Sequence, residues 1–156
     1  MTDQGKKREW VTPDWVPGHI ETYLTDPAAA HLWDASAVGV NVMLPTLLLT
    51  TTGRKSGEPR HSPMIYEQVD GAYVVIASKG GWPEHPAWYL NLKANPEAEV
   101  RVSDKRFTVR AREATGGERR SLYQRMTAIY PPFADYERWA AKAGREIPVI
   151  VLEPLG

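Results

Sequence analysis

Two short turns constrain this chain more than any other feature. Asp70-Gly71 separates "RHSPMIYEQV" (60–69) from "AYVVIASK" (72–79), and Asp104-Lys105 separates "EVRVS" from "RFTVRARE". A two-residue hairpin requires positive φ at its centre, which Asp-Gly adopts at low cost, so each pair predicts two antiparallel strands. In the second hairpin Val100, Val102, Phe107, Val109 and Ala111 alternate with Arg101, Arg106, Thr108, Arg110 and Arg112. That period predicts one buried face and one wet face. "PTLLLTTT" (45–52) and "IPVIVLEP" (147–154) are apolar without alternation and read as strands buried on both faces.

Helical patterns interrupt the strands. Ile20, Tyr23 and Leu24 recur at helix spacing between Gly18 and about Asp34, and Asp26-Pro27 reads as an N-cap followed by proline. His85-Pro86 opens a helix that stops before Pro96. Thr115 and Glu118 have the spacing of a capping box for a helix striped by Leu122, Met126 and Ile129. After Pro131-Pro132, Phe133, Tyr136, Trp139 and Ala140 share one side of a helix that Gly144 closes. Strands joined by hairpins with helices inserted between them predict an α+β, mainly β fold, an antiparallel sheet or small barrel carrying helices. The 156 residues suit one domain, expected over 18–156, with a flexible arm over 1–17.

Charge is concentrated locally. The chain has 19 basic and 19 acidic residues, so no global field recruits nucleic acid. Yet "TTTGRKSGEPR" (50–60) packs Arg54, Lys55 and Arg60 around two glycines. A Walker A loop is excluded, because the spacing does not fit and a strand follows. The turn is either a solubilising hairpin tip or a cradle for a multiply charged anion. A charge-assisted hydrogen bond to a held anion is worth about 1.5–3 kcal/mol, against about 0–1 for an exposed ion pair. "SKGGWPEHPAWYLN" (78–91) repeats the combination, with Lys79 beside Gly80-Gly81 ahead of a helix N-terminus. Tyr130 and Tyr136 flank the proline break, as half-buried core or as substrate-orienting hydroxyls. The four histidines have no metal-ligand spacing, and cysteine is absent. No signal-peptide or spanning stretch is present, and a cytoplasmic protein is expected.

In order along the chain, "LLLTTTGRKSGEPR", "ASKGG", "HPAWYLNLKANP", "AREAT", "YPPFADYERW" and "IPVIVLEP" resemble the deazaflavin-dependent nitroreductase family, also described as F420H2-dependent quinone reductases. The resemblance runs from about Pro45 to Pro154. It implies a split β-barrel like that of flavin-mononucleotide-binding reductases, and coenzyme F420 as cofactor. By motif position it implies that Arg54, Lys55, Ser56, Gly57 and Arg60 hold the cofactor's phosphodiester and polyglutamate tail. Pro63, Met64 and Ile65 would line the groove. Ala77, Ser78, Lys79 and Gly80 would approach the deazaflavin ring and ribityl chain, and Pro86, Ala87, Trp88, Tyr89 and Asn91 would complete the wall. The implied reaction is hydride transfer from the reduced cofactor to a quinone, enone or nitroaromatic, near Ser78, with Tyr136 and then Tyr130 as proton donor or orienter. Nitroimidazole-activating relatives have tyrosines on both sides of this segment; Tyr130 and Tyr136 keep that pattern, while Phe133 between them keeps the ring and lacks the donor. Trp10 and Trp15, beside Lys6, Lys7 and Arg8, form an arm able to touch a membrane interface or to cover the substrate pocket. A homodimer is expected of such barrels. The alternatives are a non-catalytic F420 carrier and a split-barrel oxidoreductase using FMN or haem.

Overall fold

The computed structural model describes residues 10–155. Lys6, Lys7 and Arg8 lie outside the described residues. One antiparallel sheet contains β1 (Leu32–Asp34), β2 (Met43–Thr52), β3 (Pro59–Ile65), β4 (Glu67–Val69), β5 (Ala72–Ile76), β6 (Glu97–Val102), β7 (Lys105–Glu113) and β8 (Val149–Pro154). Its order is β1-β2-β6-β7-β8-β5-β4, and β3 pairs with β2. The sheet curls into a split β-barrel, with β3 and β5 near each other across the opening. Five α-helices lie at the periphery among the described residues: α1 (Trp15–Thr25), α2 (Pro27–Ala30), α3 (Ala87–Ala94), α4 (Gly116–Ile129) and α5 (Pro132–Lys142).

The unalternating runs follow from burial on both faces. Leu47 and Leu49 of β2 enter the barrel with Val100, Val109 and Leu152, while Leu48 is covered from outside by Tyr23 and Ala30. In β8, Ile150 and Leu152 point inward, and Val149 and Val151 pack against Leu122, Met126 and Phe133 of α4 and α5. Each such side chain contributes about 1.5–3 kcal/mol when fully buried. On β7, by contrast, Arg106, Thr108, Arg110 and Arg112 are exposed as the alternation requires. Arg106 pairs with Glu99 at 2.8 Å.

Four local expectations are corrected. The strand expected over 60–69 breaks at Tyr66, whose buried phenol meets His31 Nε2 at 2.9 Å. Anchored there, the chain leaves β2 and joins β5. Asp70 (φ 52°) and Gly71 (φ 82°) turn as expected, but the second hairpin turns at Ser103 (φ 54°) and Asp104. Its register is set by Val100 opposite Phe107 and Ala98 opposite Val109, which leaves Lys105 in the strand. The helix expected from Gly18 to Asp34 begins at Trp15 and ends at Thr25; Asp26 caps α2 through the Ala29 N–H, and β1 follows. The capping box does not form. Thr115 is the N-cap without a side-chain bond, and the Glu118 carboxylate instead accepts two hydrogen bonds from Arg112 at 2.7 and 2.9 Å.

Candidate active site

The two cationic glycine loops open onto one groove. Its basic end, a cavity of about 240 Å³, is built from the β2–β3 turn and the start of α3. Gly53 makes the turn compact: a Cβ there would meet Ser56 Oγ at 2.7 Å. Arg54 is braced, its backbone N–H and its Nη1 both donating to Asn91 Oδ1 at 3.1 Å. Asn91 is itself buried and donates to Thr51 Oγ1 at 3.1 Å. Arg60 Nη2 donates to Ser56 Oγ at 3.3 Å. Lys55 is exposed and makes no ion pair or hydrogen bond among the described residues. Asn91 therefore acts as a brace across 37 residues of sequence, holding one cation in place while another remains available.

The central part, about 680 Å³, is continuous with the basic end through Ser62, Ala87 and Trp88. Pro63 and Met64 of β3 form one wall, Ser78, Lys79 and Gly80 the other, and Pro86 completes the α3 side. Lys79 is less free than Lys55: its Nζ lies 3.7 Å from Glu84 Oε1 and 5.4 Å from the centre of the Trp10 ring. Three successive residues here have left-handed backbone, Lys79 (φ 46°), Gly80 (φ 60°) and Gly81 (φ 79°). Gly81 has no alternative, because a Cβ would lie 2.7 Å from the Tyr136 carbonyl oxygen and 2.9 Å from its Cα. The loop is thereby seated on α5.

Beyond Met64 and Ser78 the groove ends in an aromatic chamber of about 240 Å³. Ile65, Ile76 and Val38 contribute apolar surface, and Trp10, Trp15 and Trp33 contribute rings. Its polar lining residues are Ser78 and two tyrosines, Tyr130 and Tyr136, whose phenol oxygens are 3.3 Å apart. Burial, reinforced by that hydrogen bond, raises the Tyr130 phenol well above its ordinary value. Phe133 packs edge-on against Tyr130 at 5.0 Å and Tyr136 at 6.1 Å.

Of the residues expected at the site, Gly57, Ala77 and Tyr89 are not among those lining this groove. Gly57 (φ 75°) closes the turn through its N–H to the Gly53 carbonyl and borders a different, shallow cavity beside Thr50. Ala77 is fully buried in the barrel. Tyr89 faces inward, donates to Glu113 Oε1 at 2.6 Å, and is pushed up to about 12 by burial and that bond. Trp33, Val38, Ile76 and Arg145 carry no local pattern marking them as site residues. Trp10 and Trp15, expected to touch an interface or to cover the pocket, both border the chamber. Among the described residues no three His, Asp or Glu side chains gather as a metal site, and no helix is long and apolar enough to cross a membrane.

The groove's sequence elements match those of known proteins. A family model described as F420H(2)-dependent quinone reductase matches residues 28–154. The chain belongs to this family. An F420H(2)-dependent quinone reductase of Mycobacterium tuberculosis is 41% identical over 148 residues, covering 88% of this chain and 95% of the relative. A solved F420-H2 dependent reductase, FDR-A, is 43% identical and superposes with a TM-score of 0.63, covering 74% of this chain and 100% of that one. A second solved structure, described as a domain-swapped dimer, is 37% identical with a TM-score of 0.65 over 90% of this chain and 98% of its own. The matched span begins at Ala28, so every wall of the groove except the one from Trp10 to Ile20 falls within the family region.

Two histidines give the folded protein a pH dependence. His19 is lowered from its ordinary value by burial, which outweighs a hydrogen bond to Ala30. His85 is lowered by burial and by the positive charges of Arg145 and Lys93, against a smaller opposing pull from Glu113. A depressed histidine binds its proton more readily when unfolded. Its stabilising contribution is complete above about pH 6.5 and is lost as pH falls below that value. Calorimetry should give a lower melting temperature at about pH 5.5 than at about pH 7.5; equal values would contradict the histidine environments described.

Proposed function

We propose that this protein is an F420H2-dependent reductase whose acceptor is a quinone or a similarly planar electrophile. The observation that carries the reading is the continuity of the groove from exposed cations to an apolar, phenol-bearing chamber. The residues fit an elongated cofactor with an anionic tail and a planar ring. Lys55, Arg54 and Arg60 would hold the tail; Ser62, Pro63, Met64, Ala87 and Trp88 would border its middle; Ser78 and Gly80 would border the ring. When bound, the reduced deazaflavin supplies a hydride equivalent. The chain supplies position, a dry pocket and a proton. Apolar walls exclude water and strengthen every polar contact inside them. A quinone reduced to hydroquinone takes up one hydride and one proton. In this reading Tyr130, the more buried phenol, is the donor of the hydrogen bond to the Tyr136 oxygen. That leaves the Tyr136 O–H to donate to the acceptor, with solvent restoring its proton after turnover.

The test is a titration with F420 followed by tryptophan fluorescence, then oxidation of F420H2 by menadione followed by deazaflavin absorbance. Binding with turnover supports the reductase; binding without turnover across quinones, enones and nitroaromatics points to a carrier; absence of binding ends the reading. Lys55→Glu should raise the F420 dissociation constant at least about tenfold, because a charge-assisted contact becomes a repulsive one. Its melting temperature should stay within about 2 °C of wild type, since an exposed unpaired cation contributes little to folding. A parallel fall in both quantities would return the turn to a structural role. Self-association belongs to the same reading, supported by the domain-swapped dimer among the solved relatives. Sedimentation velocity at two concentrations tests it.

A further inference from the structure

We infer that Arg145 is the positioning residue of this groove, one side chain that fixes the 78–82 loop and the start of α3 against the end of α5. It rests on the groove being the F420 site, although its geometry stands without that. Arg145 follows Gly144, whose left-handed backbone (φ 78°) turns the chain at the end of α5. The side chain is buried, at 7% exposed. Its Nη1 donates to the carbonyls of Ser78 at 3.0 Å and Trp82 at 2.6 Å. Nη2 donates to the Ala77 carbonyl, and Nε donates to His85 Nδ1 at 2.9 Å. Those acceptors lie on both sides of the left-handed run at Lys79, Gly80 and Gly81, so both ends of a strained loop are clamped to one plane.

The arrangement is expensive for folding alone. A buried guanidinium normally has a carboxylate beside it, whereas Arg145 makes no ion pair within 4.0 Å among the described residues. Carbonyl oxygens and a neutral imidazole take that place. Through His85 the guanidinium also holds the residue preceding Pro86, where α3 begins and from which Ala87 and Trp88 enter the groove. Arg145 thereby reaches three of the groove's walls: the loop directly, α3 through His85, and α5 through the chain itself. Lysine is a poor substitute, because a compact ammonium cannot address four acceptors spread around a planar fork.

Arg119 is the natural control. It is similarly buried, donates to the Ile147 carbonyl at 2.8 Å, and pairs with Glu137 of α5 and with Glu146, and none of these residues lines the groove. The experiment compares Arg145→Lys with Arg119→Lys by melting temperature, by F420 titration and by hydrogen exchange of peptides spanning 78–88. Arg145→Lys should raise the F420 dissociation constant about tenfold and speed exchange across 78–88 to a similar extent. Arg119→Lys should lower the melting temperature while changing both readings clearly less than Arg145→Lys does. His85→Ala, which removes the Nε contact and the imidazole's packing on Tyr89, should show the exchange effect confined to the start of α3 and covers the case in which Arg145→Lys fails to fold. Unchanged exchange over 78–88 in Arg145→Lys, or equal effects of the two lysine variants, would overturn the inference. Wild-type protein that fails to bind F420 would overturn the proposed function and leave the exchange comparison to judge Arg145.

Discussion

Gly81→Ala is expected to destabilise the protein by about 2–5 kcal/mol and to eliminate measurable F420 binding. Two costs combine. Left-handed backbone at φ 79° costs a residue with a Cβ about 1–2 kcal/mol. The new methyl would also lie 2.7 Å from the Tyr136 carbonyl and 3.1 Å from Trp139 Cβ, and overpacking against backbone costs about 1–3 kcal/mol. Because the obstacle is the main chain of α5, the loop or the helix must move, and with it Tyr136. Gly80→Ala is the internal comparison. It shares the left-handed backbone (φ 60°), but its Cβ would find nothing closer than Trp10 and Trp82 carbons at 3.8 Å. It should therefore lose only about 1–2 kcal/mol. Urea denaturation of the two variants reads the difference directly. Equal losses would mean that the loop is not seated on α5 as described.

Tyr136→Phe is expected to lower kcat about a hundredfold with little change in the cofactor dissociation constant. Proton donation by a positioned side chain contributes about 10²–10⁴ in rate, and the lower end suits a neutral phenol acting on a quinone oxygen. The ring remains in the Tyr136→Phe variant, so packing against Phe133 and Trp139 is retained. Tyr130→Phe removes only the hydrogen bond to Tyr136 from the deeper side and should cost about tenfold in kcat. Steady-state kinetics with menadione, at saturating F420H2, separate these effects from cofactor affinity. If Tyr130→Phe is the more damaging variant, the order of the two phenols in the proton path is reversed.

Much of the fold was legible because short-range chemistry specified it. Asp70-Gly71 turned as its dipeptide demands, and the valine–arginine alternation across 100–112 sorted itself into inner and outer faces. Where the structure departs from local preference, a contact with another element overrides it. Tyr66 ends a strand through a bond to His31, 35 residues away. Glu118 leaves its capping position for Arg112. The two cationic loops were visible as motifs, but the chamber's Trp33 and Val38 were not, since a ring that packs a core and a ring that walls a pocket have the same local pattern.

"TTTGRKSGEPR" and "SKGG", with their glycines and cations, were determined by the sequence itself. So were the strand periods and the succession of motifs that mark the family. Only the tertiary structure decided that the two loops share a groove, that Lys55 is the available cation while Lys79 is engaged by Glu84, and that Tyr130 and Tyr136 meet in one chamber. It also decided the place of Arg145, whose acceptors lie 60 to 68 residues earlier in the chain. Local patterns encode which bonds a backbone segment can make with its neighbours. A buried guanidinium's partners are set by how the barrel curls, and no window of sequence contains both ends of that contact.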